Sequence, residues 1–421
     1  MPDHEVLSAA GDDALDRLGP GLDALHAATG VPVTARRAWL ESWADCYRAW
    51  EPWCIAVTAG DGDLAGAAVL ARRRLGPLVD VVGLGHGPSD SAALPARDEA
   101  AARALARAVV AHLRSLRPAW RLRVEQLPEG DAVATAIARD LPHAAIVRGD
   151  GCPRIHVDEG SRPDDYLSDK VRRDERRAVN RLMREGLGHR VEHLRRPEEV
   201  LAALPELVRV HRQRDRALSR KSDLDVAESL CFYRRVVARH AEHGEVQLSL
   251  LRIDGELAAY DLTFLDGAAY RFWDGRIDTR WGRFSPGHLL CSAVLKRAAE
   301  DRRVAELDWM RGEETYKLRI AATVAPHQHL HAWSSPPVRA LDRAPRRARA
   351  AFAAARDRHP GLQRAWLAVK SRTVLRGRAG DPGSALVGPV EAVGAVGTEP
   401  LGVSGAVGHG AEDPHPEGVE G

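Results

Sequence analysis

YRFWDGRIDTRWGRFSPGHLL (270–290) and ELDWMRGEETYK (306–317), joined by a helical run, decide the fold. The first piece ends a strand, crosses an Asp/Arg loop and reaches Ser285-Pro286-Gly287-His288. Ser is a favoured N-cap, and Pro at the first helical position gives up a hydrogen bond already missing there. Gly at the next position lets a ligand come close to the backbone. The amides of Gly287, His288 and Leu289 are then expected to point out of the helix start, with the positive end of the dipole behind them. That is an anion site in physical terms. An ordinary capped helix uses the same residues; the strand-turn-helix-strand order favours the ligand. The second piece is a strand that gives way to a dense polar cluster, Asp308 to Lys317. Loops at the C-terminal ends of parallel strands commonly line crevices.

Working outward, His189–Arg195 reads as a strand. Pro197–Arg214 and Val226–His240 carry apolar residues at helical spacing. Glu245–Ile253, Glu256–Leu265 and Ala268–Arg276 read as strands separated by Asp254-Gly255 and Asp266-Gly267, both hairpin signals. Ser285–Asp301 is a helix, Val304–Met310 a strand, Glu313–Ile320 a short helix or turn, and His327–Trp333 a closing strand. The order is β-α-α-β-β-β-α-β-α-β. A fainter echo precedes it: a helix over Thr34–Arg48, strands over 53–58, 64–72 and 78–84, a helix over 98–116, a strand over 121–126, a helix over 130–140 and a strand-like run over 144–157. The reading is α+β, with two copies of one unit, each a mixed central sheet flanked by helices. The expected division is an N-terminal segment 1–30, a degenerate first domain 31–160 and a second domain 161–335. A basic helical extension (336–380) and a disordered acidic tail (381–421) follow.

Length agrees, since 421 residues exceed one ordinary core. The net charge of +2 provides no overall field to attract nucleic acid. Charge is segregated: 336–380 holds twelve Lys/Arg against two acids, and 381–421 holds seven acids and no Lys/Arg. The tail has too little apolar surface to offset ordering entropy. Five cysteines without a CxxC pair exclude metal-ligand spacing and predict free thiols in a reducing cytoplasm. The first residues lack the pattern of a signal peptide, and no segment approaches the ~20 apolar residues that span a bilayer.

Candidate chemistry gathers near the opening stretch. Lys317 can hold a phosphate or a developing negative charge, and Glu313 can accept a proton from an attacking amine. The competing account pairs Glu and Lys at i,i+4 on a solvated helix face. Asp261 interrupts the apolar strand AAYDLTFL and either lines a cleft or faces water. Asp274 and Asp278 flank the loop before the turn and read as solvated acids. His156 and His211 read as structural. Over 172–184, six arginines surround a stripe of Val171, Ala178, Leu182 and Met183. It reads as a helix packed at the domain junction, with contact to RNA or a phosphorylated acceptor as the alternative.

Ser285, Pro286, Gly287, Leu289 and Leu290, followed by Asp308, Arg311, Gly312, Glu313 or Glu314, Tyr316 and Lys317, resemble the GNAT-type acetyltransferases of the CelD/FemAB-like class. Their pattern is SPG-x-LL, a helix, then D-x-x-RG-x-E-x-YK. The resemblance covers about 165–335, is faint over 31–157 and stops at 336. It departs at Arg214-Asp215, where the family often has Arg-Trp. It implies tandem GNAT folds, the second using acetyl-CoA or another acyl-CoA as co-substrate without a metal. Tyr270, Phe272 and Trp273 would meet the thioester and pantetheine, and Ser285, Gly287, His288 and Leu289 the diphosphate. Asp274, Arg311 and Tyr316 would face a small-molecule or glycan-precursor acceptor. The resemblance does not fix a general base; from their chemistry Lys317, Glu313 and Asp261, in that order, are the candidates to orient the acceptor and remove its proton. Fem-type relatives use aminoacyl-tRNA, so aminoacyl transfer is the first alternative. A catalytically inactive interaction scaffold is the second.

Overall fold

The computed structural model describes residues 4–157, 169–318 and 323–344. The expected tail, and all but the start of the basic extension, lie outside these residues. The first repeat comprises β1 (Val6–Ala10), α1 (Ala14–Thr29), α2 (Arg37–Cys46), β2 (Glu51–Thr58), β3 (Leu64–Leu75), β4 (Leu78–Gly83), α3 (Glu99–Ser115), β5 (Ala119–Pro128), α4 (Ala132–Asp140), β6 (Ala144–Arg148) and β7 (Cys152–His156). After α5 (Asp169–Arg184) the order recurs. It runs β8 (His189–Leu194), α6 (Pro197–Ala217), α7 (Ala227–Glu242), β9 (Val246–Ile253), β10 (Glu256–Asp266), β11 (Ala269–Ile277), α8 (Pro286–Glu300), β12 (Glu306–Asp308), α9 (Thr315–Leu318), β13 (Thr323–Ala325) and β14 (His327–Trp333). The chain is a tandem α+β protein with two seven-stranded mixed sheets flanked by helices.

The first 30 residues are no separate segment. β1 pairs with β2, and Leu15, Leu18, Leu22 and Leu25 of α1 are buried. Pro20 and Gly19, the latter at φ +37°, kink α1 and hide its period from the sequence.

The sheets run β1-β2-β3-β4-β5-β14-β6 and β8-β9-β10-β11-β12-β7-β13. Their topologies are identical, and in each the sixth place is filled from the other repeat. β7 lies antiparallel between β12 and β13, and β14 antiparallel between β5 and β6. The run 144–157 is thus two strands in different sheets, parted at Gly149-Asp150-Gly151. His327–Trp333 closes the first sheet rather than the second, and the sheets do not follow a division at 160/161.

Equivalent helices of the two repeats, α2 and α7, pack on each other. Trp39 meets Phe232 edge-on at 5.2 Å, and Trp43, Phe232 and Tyr233 share one buried cluster. Cys46 on α2 is joined to Cys231 on α7 by a disulfide, which corrects the expectation of five free thiols. Cys54, Cys152 and Cys291 are free. The pairing has no sequence spacing to announce it, because the fold brings together residues 185 apart.

Candidate functional site

The two copies differ most where the fourth and fifth strands run parallel. In the first, β4 and β5 pair over five rungs, Leu78↔Ala119 to Val82↔Arg123. In the second, β11 and β12 pair over three, Ala269↔Glu306 to Arg271↔Asp308, and then part. Trp309 turns away and bonds Pro153 O of β7 at 2.9 Å. Met310 (φ +57°) and Gly312 (φ +112°) carry the turn. The edge of β11 from Phe272 to Ile277 thus continues beyond its partner. Its other edge stays paired with β10, through a bulge between Leu262 and Thr263 that falls opposite Trp273. Phe272 and Trp309 stand across the fork with ring centroids 5.0 Å apart.

α8 begins past the open end of β11. Ser285 adopts the left-handed conformation (φ 50°, ψ 51°) and makes no side-chain cap. Its carbonyl instead accepts from His288 N at 3.0 Å and Leu289 N at 3.3 Å. Two of the three amides expected to be free are therefore engaged, and Leu289 is buried. Gly287 and the exposed His288 form the accessible mouth. A Cβ on Gly287 would lie 3.3 Å from Ile277 Cγ2, so the mouth abuts the end of β11. Tyr270 sits elsewhere. Its hydroxyl meets Arg195 and Asp301 Oδ2 (3.2 Å), next to the far end of α8.

Asp261 is half-buried on the face of β10 that looks toward α8. It accepts from Thr263 Oγ1 at 2.8 Å and pairs in register with Gly275 of β11. Burial pushes its carboxyl up to about 7, and the charge of Asp274 adds to the shift. Asp274, one residue along β11, is buried rather than solvated. Its carboxylate receives Tyr260 Oη at 2.7 Å, Tyr233 Oη at 3.0 Å, His211 Nδ1 at 3.3 Å and Arg276 Nη1 at 2.8 Å. Burial alone would raise this carboxyl. The charges of Arg276 and His211, with the donated hydrogen bonds, outweigh it and hold Asp274 well below the usual carboxylate range. Burial opposes protonation of His211, but Asp274 and Asp215 prevail and raise its pKa. His211 reads as structural in the sequence, and Tyr233 falls inside the helix expected over Val226–His240. The legible signal was a histidine and a tyrosine on inward helix faces opposite an acid in a strand. Asp278 is also buried, and caps Arg280 N at 3.0 Å.

The 308–317 run binds the repeats together. Asp308 takes Arg271 Nη1 at 2.5 Å, Arg154 Nη2 at 3.2 Å and Met310 N at 2.7 Å. Arg311 reaches the first repeat at Asp90 Oδ1 (3.2 Å) and Gly87 O (3.3 Å). Burial raises Asp90 to about 6 against the opposing charges of Arg311 and Lys317. Lys317 is buried, donates to Arg311 O at 2.7 Å and pairs with Glu314 at 3.1 Å, not with Glu313. Glu313 accepts from Gly151 N at 3.1 Å, between β6 and β7. The side chain of Tyr316 lies outside the described residues. The structure therefore brings Phe272, Trp273, Asp274, Asp261 and Gly287 to the open stretch of β11, and gives Arg311, Glu313 and Lys317 to the junction.

An open fork between parallel strands, a crossover helix starting at its mouth and a duplicated sheet of this topology define a tandem acyltransferase-type protein. Residues 169–318 match the family described as acetyltransferase (GNAT) domain. The chain is similar in fold to a crystal structure of FemX, at 11% identity and a TM-score of 0.53, over 73% of this chain and 95% of that one. More distant are L-PGS from Bacillus licheniformis (13%, TM-score 0.46, 77% of this chain and 95% of that one) and a tandem GNAT protein from the clavulanic acid biosynthesis pathway (17%, TM-score 0.43, 79% and 99%). No curated relative matches the sequence. Among the described residues no His, Cys, Asp or Glu group is arranged to hold a metal, and no helix is long and apolar enough to cross a membrane.

Proposed function

We propose that this acyltransferase moves an acetyl or other acyl group from acyl-coenzyme A to an amine, or to a hydroxyl, of a small-molecule or glycan-precursor acceptor. The observation that carries the reading is the early parting of β11 from β12. It leaves strand edge from Phe272 onward to bond pantetheine in the manner of an added strand. The mouth at Gly287 lies where the diphosphate would follow, and its amide and helix dipole favour that charge. The acceptor nitrogen attacks the thioester carbon, the C–S bond breaks and coenzyme A leaves as thiolate. Asp261, titrating near neutrality, is suited to take the amine proton. The network around Asp274, whose charge Arg276 and His211 balance, supplies a fixed polar wall for the acceptor. Lys317, Glu313 and Arg311 act as positioning residues that hold the loop beyond β12.

Calorimetric titration with acetyl-CoA tests the reading. Binding is expected for the full chain and is expected to vanish in Gly287→Val, whose branched side chain crowds Ile277 and the mouth, while circular dichroism stays unchanged. Equal binding by both proteins would refute it. Titration with aminoacyl-tRNA in place of acetyl-CoA decides the Fem-type alternative.

A further inference from the structure

α5 has no counterpart in the first repeat. It is laid antiparallel along α8. Glu175 near its start accepts from Ser292 Oγ at 2.6 Å and Lys296 Nζ at 2.8 Å. Arg181 and Glu185 at its end meet Arg283, two residues before Ser285. Ala178 and Leu182 are buried beside Phe284, Leu289, Leu290 and Val294, whereas Met183, expected on the same stripe, is 70% exposed.

Over 172–184 the helix carries six arginines against two acids, Asp174 and Glu175, and Glu175 faces α8. Arg173, Arg177, Arg181 and Arg184 recur at intervals of four, four and three residues, so they form one ridge. Arg177 pairs with Asp174 at 3.5 Å, and Arg173 and Arg184 form no ion pair among the described residues. Arg181 donates one N–H to Arg283 O, which fixes its guanidinium beside the α8 mouth and leaves four of its five donors. From Arg177 to Arg184 the ridge spans ~10 Å at ~1.5 Å per residue. It is bounded by Asp174 and Glu185. That reach suits one phosphate group rather than the run of backbone phosphates an RNA stem presents.

We propose that Arg181 and Arg184 hold the 3′-phosphate of coenzyme A. This rests on the acyl-CoA reading of the fork and mouth, and it adds a donor-selecting site supplied by the inserted helix. The dianionic monoester sits one ribose from the diphosphate, and guanidinium groups grip such oxygens in a forked geometry. α5 would thus discriminate coenzyme A from the same molecule without that phosphate.

The test is the dissociation constants of coenzyme A and 3′-dephospho-coenzyme A for the full chain and three variants: Arg181→Gln/Arg184→Gln, Arg173→Gln and Gly287→Val. The full chain is expected to prefer coenzyme A by at least about tenfold, or ~1.4 kcal/mol. The double variant should bind both compounds at the dephospho level, and Arg173→Gln should keep the preference. Equal binding of the two compounds by the unaltered chain overturns this site and leaves the acyl-CoA reading standing. So does a preference that survives in the double variant, or one lost equally in Arg173→Gln. Binding of neither compound, with a bulk tRNA bound instead and lost in the double variant, overturns both.

Discussion

The same pair of parallel strands is closed in the first repeat and forked in the second. At the third rung of each pair stands an ion pair, reversed in sign: Asp80 opposite Arg121, and Arg271 opposite Asp308. Beyond it, Val81↔Leu122 and Val82↔Arg123 carry the first pair on, whereas Trp309 leaves the second for β7. The helix after the fifth strand differs in step. α4 has nine residues and packs on α3; α9 has four, and α8 packs on the inserted α5. One scaffold thus supplies a sealed copy that supports and an open copy that can admit a ligand between its strands. The duplication repeats the sheet; the loss of two rungs sets the second copy apart and is what the proposed donor site rests on.

The largest expected effect lies in the sealed copy. Asp80 is fully buried and bonded to Arg121 at 2.7 Å, with Arg123 and Arg73 within 3.5 Å. Burial would raise its carboxyl, but the arginines hold it below the ordinary range. Asp80→Asn takes their carboxylate from Arg73 and Arg123 and leaves Arg121 with Asp342 alone, and should cost about 3–5 kcal/mol in urea unfolding. If acyl-CoA binding falls as steeply as stability, the two copies are not divided in role.

Reduction of Cys46–Cys231, or Cys46→Ser, should lower stability by about 2–4 kcal/mol, read as a drop in Tm. Intact mass before and after reduction checks the bond. A reduced pair in freshly isolated protein would indicate a reducing compartment.

Asp261→Asn probes the fork side. Its folded pKa of about 7 lies above the ordinary carboxylate value, so the native state holds a proton that the unfolded chain releases. Stability should therefore fall as pH rises from ~4 to ~7. The variant should flatten that slope and gain stability at pH 8 while losing transfer activity. An unchanged slope would remove Asp261 from the proposed chemistry.

The smallest effect belongs to Glu175→Gln. It weakens a part-exposed tie between α5 and α8 worth about 0.5–1 kcal/mol. Faster amide exchange over 172–184, with little change elsewhere, would mark α5 as an addition to the repeat rather than part of its core.

The second repeat was legible because its strands are punctuated by Asp-Gly turns. β9, β10 and β11 fall within a residue or two of their expected bounds. β1 is a five-residue edge strand, and α1 is broken by Gly19 and Pro20, so neither shows a clean period. The exchange of β7 and β14 is invisible to any local pattern, since an alternating strand does not announce its partner. The mouth at Gly287 was readable as a motif, but Ser285 spends its carbonyl on two amides counted as free. The Asp274 network needed four elements brought together, and singly Asp274 reads as a solvated acid and His211 as structural.

Exchange of the sixth strands orders events during synthesis. The first sheet keeps an empty lane between β5 and β6 until residues 327–333 emerge, so it must wait, partly built, while the second repeat is made. The second waits for nothing, because its borrowed strand has already been made. The supporting copy is thereby sealed last, and a stalled or truncated ribosomal product ending before Trp333 would expose two bare sheet edges to aggregation.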